Sequence, residues 1–278
     1  MHGGRRPPAL IVLEMSTPPV LADVLIGVDK SIATVTLNRP EQRNPLSGAM
    51  MRDLRSALGW CKLQPAVAVV VLTGAGDRAF CAGADLAGFG ADQSSLALHH
   101  GRQALADLFV EMDELGKPIV GRINGHALAG GFGLACACDL LVAADTATFG
   151  TPEINVEMWP MMIQAILSRN LPRKVLLEMV MLGDRWSATQ LQQYGVINRV
   201  VPAERLDEET ERLAARLAEK STAIMRLGRD SFYKQQDMDF EVGLGYLHSQ
   251  VALVMLTEDS AEGRKAFFEK GPPQYKGR

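Results

Sequence analysis

Three glycine-punctuated segments hold the residues of this chain whose types and spacing could do chemistry. They are Arg78-Ala-Phe-Cys-Ala-Gly-Ala-Asp-Leu86, Ile123-Asn-Gly-His-Ala-Leu-Ala-Gly-Gly-Phe-Gly-Leu134 and Ala147-Thr-Phe-Gly-Thr-Pro-Glu-Ile154. A strand that ends in a turn of Ala and Gly leaves backbone N–H groups unpaired, with no side chain blocking access to them. The Gly130-Gly131 pair also opens a helix, whose first N–H groups point outward and whose dipole favours negative charge. Two such turns facing each other make a hole for an oxyanion, each donor worth about 3–4 kcal/mol to the developing charge. Any one segment alone is read as well as a tight turn. A phosphate loop is excluded because no Gly-Lys-Ser/Thr follows, and Gly130-Gly-Phe-Gly133 lacks the G-x-G-x-x-G spacing of a dinucleotide site.

Side chains add less. Glu153 follows a proline, where an arbitrary acid is solvated; burial beside an apolar ligand would raise its pKa toward the working pH. His126 precedes Ala-Leu-Ala in a strand-to-helix turn with no evident acid partner, which suits a structural role better than a base. Asp85 suits a cap of the turn or helix behind it. Glu157, four residues after Glu153, approaches the same place if that stretch is helical or tightly turned; otherwise it is a solvated acid, as Glu111 and Asp113 are. Trp159, Met161 and Met162 fit an apolar pocket or the core equally well.

The elements that position these segments follow from periodicity. Ile32–Leu37 is a β-branched strand ended by Asn38-Arg-Pro40, and Ser47–Leu63 carries Met51, Leu54, Leu58 and Cys61 at helical spacing. Ala68–Leu72 is continuously apolar, as a strand buried on both faces must be. A helix over Gly101–Leu115, a strand over Pro118–Ile123, a short helix over Phe132–Cys138 and a strand over Leu140–Val142 continue the cycle, which is an α/β architecture. Beyond Pro160 the pattern is helical over 162–171, 174–182, 188–194, 203–220, 223–235, 243–256 and 260–270, with one strand over Val196–Val201. Three regions are expected: an extension over 1–18 (translation starting at Met15 being possible), an α/β core over 19–200, and a helical region over 201–278 that packs on the core and on neighbouring subunits.

Composition narrows the partners. With 47% hydrophobic and 22% charged residues the chain suits a soluble globular protein. A net charge of −3 and no basic stripe argue against nucleic acid and against an anionic membrane. No apolar run is long enough to span a bilayer. Cys61, Cys81, Cys136 and Cys138 form neither a metal pattern nor a disulfide framework, so no metal is expected and a reducing cytoplasm fits.

Taken together and in order, the segments closely resemble the crotonase (enoyl-CoA hydratase/isomerase) family. The resemblance runs from about Ile26 to the C-terminus. It rests on Leu37-Asn-Arg-Pro-Glu-Gln-Arg-Asn-Pro-Leu46, Ala79-Phe-Cys-Ala-Gly-Ala-Asp85, Asn124-Gly-His-Ala-Leu-Ala-Gly-Gly131, Cys138-Asp-Leu-Leu-Val-Ala-Ala144, Phe149-Gly-Thr-Pro-Glu153 and Phe267-Phe-Glu-Lys270. It implies a spiral of ββα turns with a C-terminal helical trimerisation region, and a homotrimer or a dimer of trimers. It implies an acyl-CoA thioester as substrate, with coenzyme A part of that substrate and no separate cofactor. The family's oxyanion amides fall on Ala84 and Gly130, and a catalytic glutamate on Glu153. Ala82, Asp85 and Gly131 flank those positions and are expected to border the thioester, as Trp159 is. Arg43 is suited to coenzyme A phosphates. Phe267 and Lys270 match an aromatic and a lysine that in the family reach the coenzyme A of an adjacent subunit, and Leu86–His100 is expected to border the acyl pocket.

One departure matters most. Hydratases of the family hold water between two glutamates, the first standing three residues after the oxyanion glycine; here that position is Gly133. Shifting a double bond from Δ3 to Δ2 needs only one base. The expectation is therefore isomerisation through Glu153, with a hydratase using a substituted second acid, or a silent acyl-CoA-binding scaffold, as alternatives. If a missing carboxylate were the sole limit, Gly133→Glu should raise hydration.

Overall fold

A computed structural model describes residues 16–85 and 95–278, with side chains from 103 onward in the second stretch. The expected extension over 1–18 and the acyl-pocket border over Leu86–His100 lie largely outside these residues.

Strand β2 (Ile32–Leu37) alternates half-buried and buried residues, as its Ile-Ala-Thr-Val-Thr-Leu sequence dictates. It pairs antiparallel with β1 (Val24–Asp29) and parallel with β3 (Val69–Gly74). All six residues of β3 are buried. Val70 and Leu72 enter the main core, whereas Val69 and Val71 pack with Leu206, Leu213 and Ala214 on the other face. A helix covers each side, which explains the unbroken apolar run. The sheet continues in parallel through β5 (Ile119–Ile123), β7 (Leu140–Ala144) and β10 (Arg199–Val201). A second sheet is made of three-residue strands: β4 (Ala79–Cys81), β6 (His126–Leu128), β8 (Thr148–Gly150) and the antiparallel β9 (Arg185–Ser187).

From β3 onward each ββα turn of the chain visits both sheets. Strands β3 and β4 lead to α2 (Ser95–Asp113), β5 and β6 to α3 (Gly130–Cys136), and β7 and β8 through a 3-10 turn to α4 (Met161–Asn170). This is the ββα spiral the resemblance implies. The remaining helices are α1 (Gly48–Leu63), α5 (Arg173–Leu182), α6 (Ala188–Gln193), α7 (Leu206–Ala218), α8 (Thr222–Gln235), α9 (Phe240–Leu256) and α10 (Glu258–Glu269). Polar caps set several of their starts: Ser47, Ser187, Ser221 and Thr257 each accept a backbone N–H of the first turn. Helix α7 lies on β3, β5 and β7, so it covers the larger sheet, while α10 packs on α8 and α9. The helix expected over 203–220 is a 3-10 turn, Ala203–Arg205, followed by α7.

A buried asparagine organises the entry to the site. Asn44 is fully buried, accepts the Arg39 N–H and donates to the Ala75 and Ala79 carbonyls, at 2.9–3.0 Å. It ties the loop after β2 to β4. Asn44→Ala removes the partner of the Arg39 N–H and of the Ala75 carbonyl, leaves the Ala79 carbonyl only a 3.4 Å bond from Asn124, and is expected to cost about 2–3 kcal/mol, read as a lowered urea midpoint at unchanged slope.

Candidate active site

The two alanine- and glycine-rich turns meet. After β4 the chain passes through Gly83 at φ +92, a conformation that favours glycine. The Ala82 N–H donates to the Arg43 carbonyl, the Gly83 carbonyl accepts the Leu46 N–H, and Ala84 bridges Leu46. After β6, Ala129 turns at φ 52 and donates its N–H to the Gly150 carbonyl at 2.8 Å, and α3 begins at Gly130. A Cβ on Gly83 would stand 2.6 Å from Ala129 Cβ and 2.8 Å from the Leu128 carbonyl oxygen. A Cβ on Gly130 would stand 3.1 Å from Leu46 Cδ1 and 3.9 Å from the Ala84 nitrogen. The two turns are thus in direct contact, and at Gly83 only glycine permits the approach. Among the described residues, neither the Ala84 nor the Gly130 N–H has a backbone acceptor. Gly131 is needed for a different reason: its Cβ would fall 2.2 Å from the Cys81 carbonyl oxygen.

Glu153 arrives from the neighbouring strand. Strand β8 pairs in parallel with β6, so the chain leaving Gly150 runs alongside the chain entering Gly130. Thr151, fully buried, donates its hydroxyl to the Met179 carbonyl, and Pro152 opens the 3-10 turn in which Glu153 sits. The Glu153 side chain is half-buried, and its Oε2 is buried without a hydrogen-bond partner among the described residues. Burial raises its pKa above the usual carboxylate range, only partly opposed by its own backbone N–H. An unpartnered buried carboxylate oxygen with a raised pKa is what a base awaiting a carbon acid requires.

The other candidates separate. Glu157 is exposed, in the left-handed conformation that closes the 3-10 turn, and offers no second acid at Glu153. Glu111 pairs with Arg55 at 2.6 Å, and burial raises the pKa of Asp113. Asp85 faces Arg39 at 3.6 Å. The His126 ring pairs with the Thr148 hydroxyl at 2.8 Å; burial lowers its pKa, and the charges of Arg185 and Arg43 add to this. Trp159 donates its indole N–H to Gln164 Oε1 and packs on the core. Met161 is 72% exposed and Met162 half-buried. Arg43 is exposed at φ 64. Phe267 is exposed and Lys270 caps α10 in the left-handed region; α10 packs on α8 and α9, so neither is brought to Glu153 in its own chain.

The position of the absent acid is more closed than sequence could tell. A Cβ on Gly133 would stand 2.4 Å from Ile163 Cγ2, 2.7 Å from Ile163 Cβ and 3.2 Å from Phe109 Cζ. Gly133→Glu alone therefore cannot simply restore a carboxylate, which corrects the expectation above. Ile163 and Phe109 carried no sequence signal beyond their helical apolar spacing.

Comparison with known proteins shows the family. The enoyl-CoA hydratase/isomerase family model matches residues 27–278. The 2,3-dehydroadipyl-CoA hydratase of Escherichia coli is 30% identical over 260 residues, covering 93% of this chain and all of that one. The (E)-benzylidenesuccinyl-CoA hydratase of Thauera aromatica is 32% identical, covering 91% and 99%. The crystal structure of an enoyl-CoA hydratase from Mycobacterium smegmatis superposes with a TM-score of 0.88 at 34% identity, covering 91% of this chain and 99% of that one.

Proposed function

Because the chain belongs to the enoyl-CoA hydratase/isomerase family, we propose that it is the enzyme of a proton shift on an acyl-CoA thioester, with Glu153 as its one acid and base. The observation that carries this reading is the buried Oε2 of Glu153, without a hydrogen-bond partner among the described residues, in a chain whose residue 133 is a glycine with no carboxylate to offer.

The thioester oxygen accepts the N–H groups of Ala84 and Gly130. That interaction strengthens as charge moves onto the oxygen, so it lowers the barrier to removing a proton from the neighbouring carbon. The Glu153 carboxylate takes a Cα proton from a 3-enoyl thioester. The electron pair delocalises over the thioester as a dienolate, and the Glu153 carboxylic acid returns the proton at Cγ. Bonds and charge balance with no other reactant, and the product is the conjugated 2-enoyl thioester. Hydration would instead require a held water and a divided proton transfer, which suits two acids better than one.

The related enzymes are named as hydratases, so hydration is the rival reading. Parallel assays decide between them. A 3-enoyl-CoA should be converted with a much higher kcat/KM than a 2-enoyl-CoA is hydrated; fast hydration of crotonyl-CoA that depends on Glu153 would overturn the single-base reading. A silent scaffold is tested by titration calorimetry with an acyl-CoA: heat of binding together with turnover excludes it.

The helical region supports assembly. Helix α9 leaves Val242, Leu244, Val251, Leu253 and Leu256 exposed on both sides of the helix, which is apolar all round and so suits burial better than solvent. We read it as the contact between copies, in a homotrimer or paired trimers that bring Phe267 and Lys270 to a neighbour's coenzyme A. Sedimentation should give a trimer or hexamer, and Val251→Glu with Leu253→Glu should shift it to monomer.

A further inference from the structure

The flank of the site one helical turn beyond the Gly130 amide is apolar and closed. Gly130 and Gly133 lie three apart on α3, on one face of that helix. Over Gly133 sit Ile163 from α4, 3% exposed, and Phe109 from α2, 6% exposed. The contact is tighter than a side chain tolerates: a β-carbon at 133 would meet both the Cβ and the Cγ2 of Ile163. Glycine at 133 and isoleucine at 163 therefore fill one volume between them. The three atoms nearest that volume are hydrocarbon, which offers a water no hydrogen-bond partner.

We infer that Ile163 is a specificity-determining residue, which holds this flank dry and closed so that Glu153 works alone. Water is kept from the reacting carbons on the Gly133 side, and no acid can be placed there to activate it. The site is thereby committed to moving a proton within the acyl chain and not to adding water across its double bond. This inference rests on the single-base reading above. It locates the choice of reaction in α4, thirty residues from the missing carboxylate.

The test separates packing from chemistry. Packing is read by a thermal-melting cycle over wild type, Gly133→Ala, Ile163→Gly and the pair. Gly133→Ala should lower Tm in the Ile163 background and raise it in the Ile163→Gly background, where the new methyl fills a vacated space. Additive shifts would overturn the shared-volume claim, whatever the enzyme catalyses. Chemistry is read on a 2-enoyl-CoA. Gly133→Glu alone should not raise hydration, whereas Gly133→Glu with Ile163→Gly should raise it about tenfold or more, within the range of one added acid–base group. Two results would overturn the inference: equal gains from Gly133→Glu with and without Ile163→Gly, or no gain in a double variant that melts as a folded protein. A wild type that already hydrates quickly would sink the single-base reading while leaving the melting cycle to judge Ile163.

Discussion

Glu153→Gln is expected to lower turnover of a 3-enoyl-CoA by about 10²–10⁴-fold, the range for loss of a positioned acid–base group. Glutamine keeps the shape and the half-buried position but cannot accept a proton from carbon, so binding of the acyl-CoA should change little while kcat collapses. Stability should move the other way. Burial raises the pKa of Glu153 in the folded state, so the proton is held more tightly by the folded chain than by the unfolded one. The stabilising contribution of the protonated form is present at acid pH and is lost as pH rises through the raised folded pKa. At neutral pH the ionised, unpartnered carboxylate is a net cost. Glu153→Gln should therefore melt at or above the wild type at pH 7, and the difference should vanish in acid. The wild-type rate should fall on the acid side with a midpoint above the usual carboxylate range, because the carboxylate is the active form. A variant that loses activity and stability together would show Glu153 to be a structural residue.

Gly83→Ala is the second large effect. Its φ of +92 costs an L-residue about 1–3 kcal/mol, and its methyl would press on Ala129 Cβ and the Leu128 carbonyl within 2.8 Å. Ala129 leads directly into Gly130, so relief of the clash moves the two turns apart and with them the Ala84 and Gly130 N–H groups. Loss of one such donor costs about 10²–10³ in kcat. Gly76→Ala is the control: Gly76 also has a positive φ, +80, but its Cβ would meet only Pro40, at 3.1 Å. Both variants should lose stability, and only Gly83→Ala should lose kcat. Equal kcat in the two would show that the alignment of these turns is not what drives turnover.

Much of this site was legible in the sequence, for physical reasons that differ by residue. The unbroken Val-Val-Val-Leu of β3 and the alternation of β2 gave their strands directly, because burial on two faces or on one dictates those patterns. The helices from α4 onward follow from apolar spacing, and their ends agree with the expected ones to within a few residues. The glycine segments marked the turns, and Glu153 stood out once those segments were read together. The second sheet was not legible: three-residue strands such as β6 and β8 are too short for periodicity and lie inside the glycine-rich segments. Helix α2 begins at Ser95, six residues before its apolar spacing becomes clear. The reasons for Gly83 and Gly131 are close approaches to Ala129 and to the Cys81 carbonyl, distant in sequence, so glycine could be noted but not explained. Gly133 shows the limit best. Its lack of a carboxylate was plain, yet the side chain that occupies the space, Ile163, comes from another helix.

The account turns on one carboxylate moving a proton next to a thioester held by two amides. The most direct measurement is proton NMR of a 3-enoyl-CoA incubated with the protein in deuterium oxide. The conjugated product should form with wild type and not with Glu153→Gln, and its Cγ should carry mainly protium, because Glu153 returns there the proton it took from Cα. A hydroxyacyl product, full deuteration at Cγ, or a double-bond shift that persists in Glu153→Gln, would contradict it.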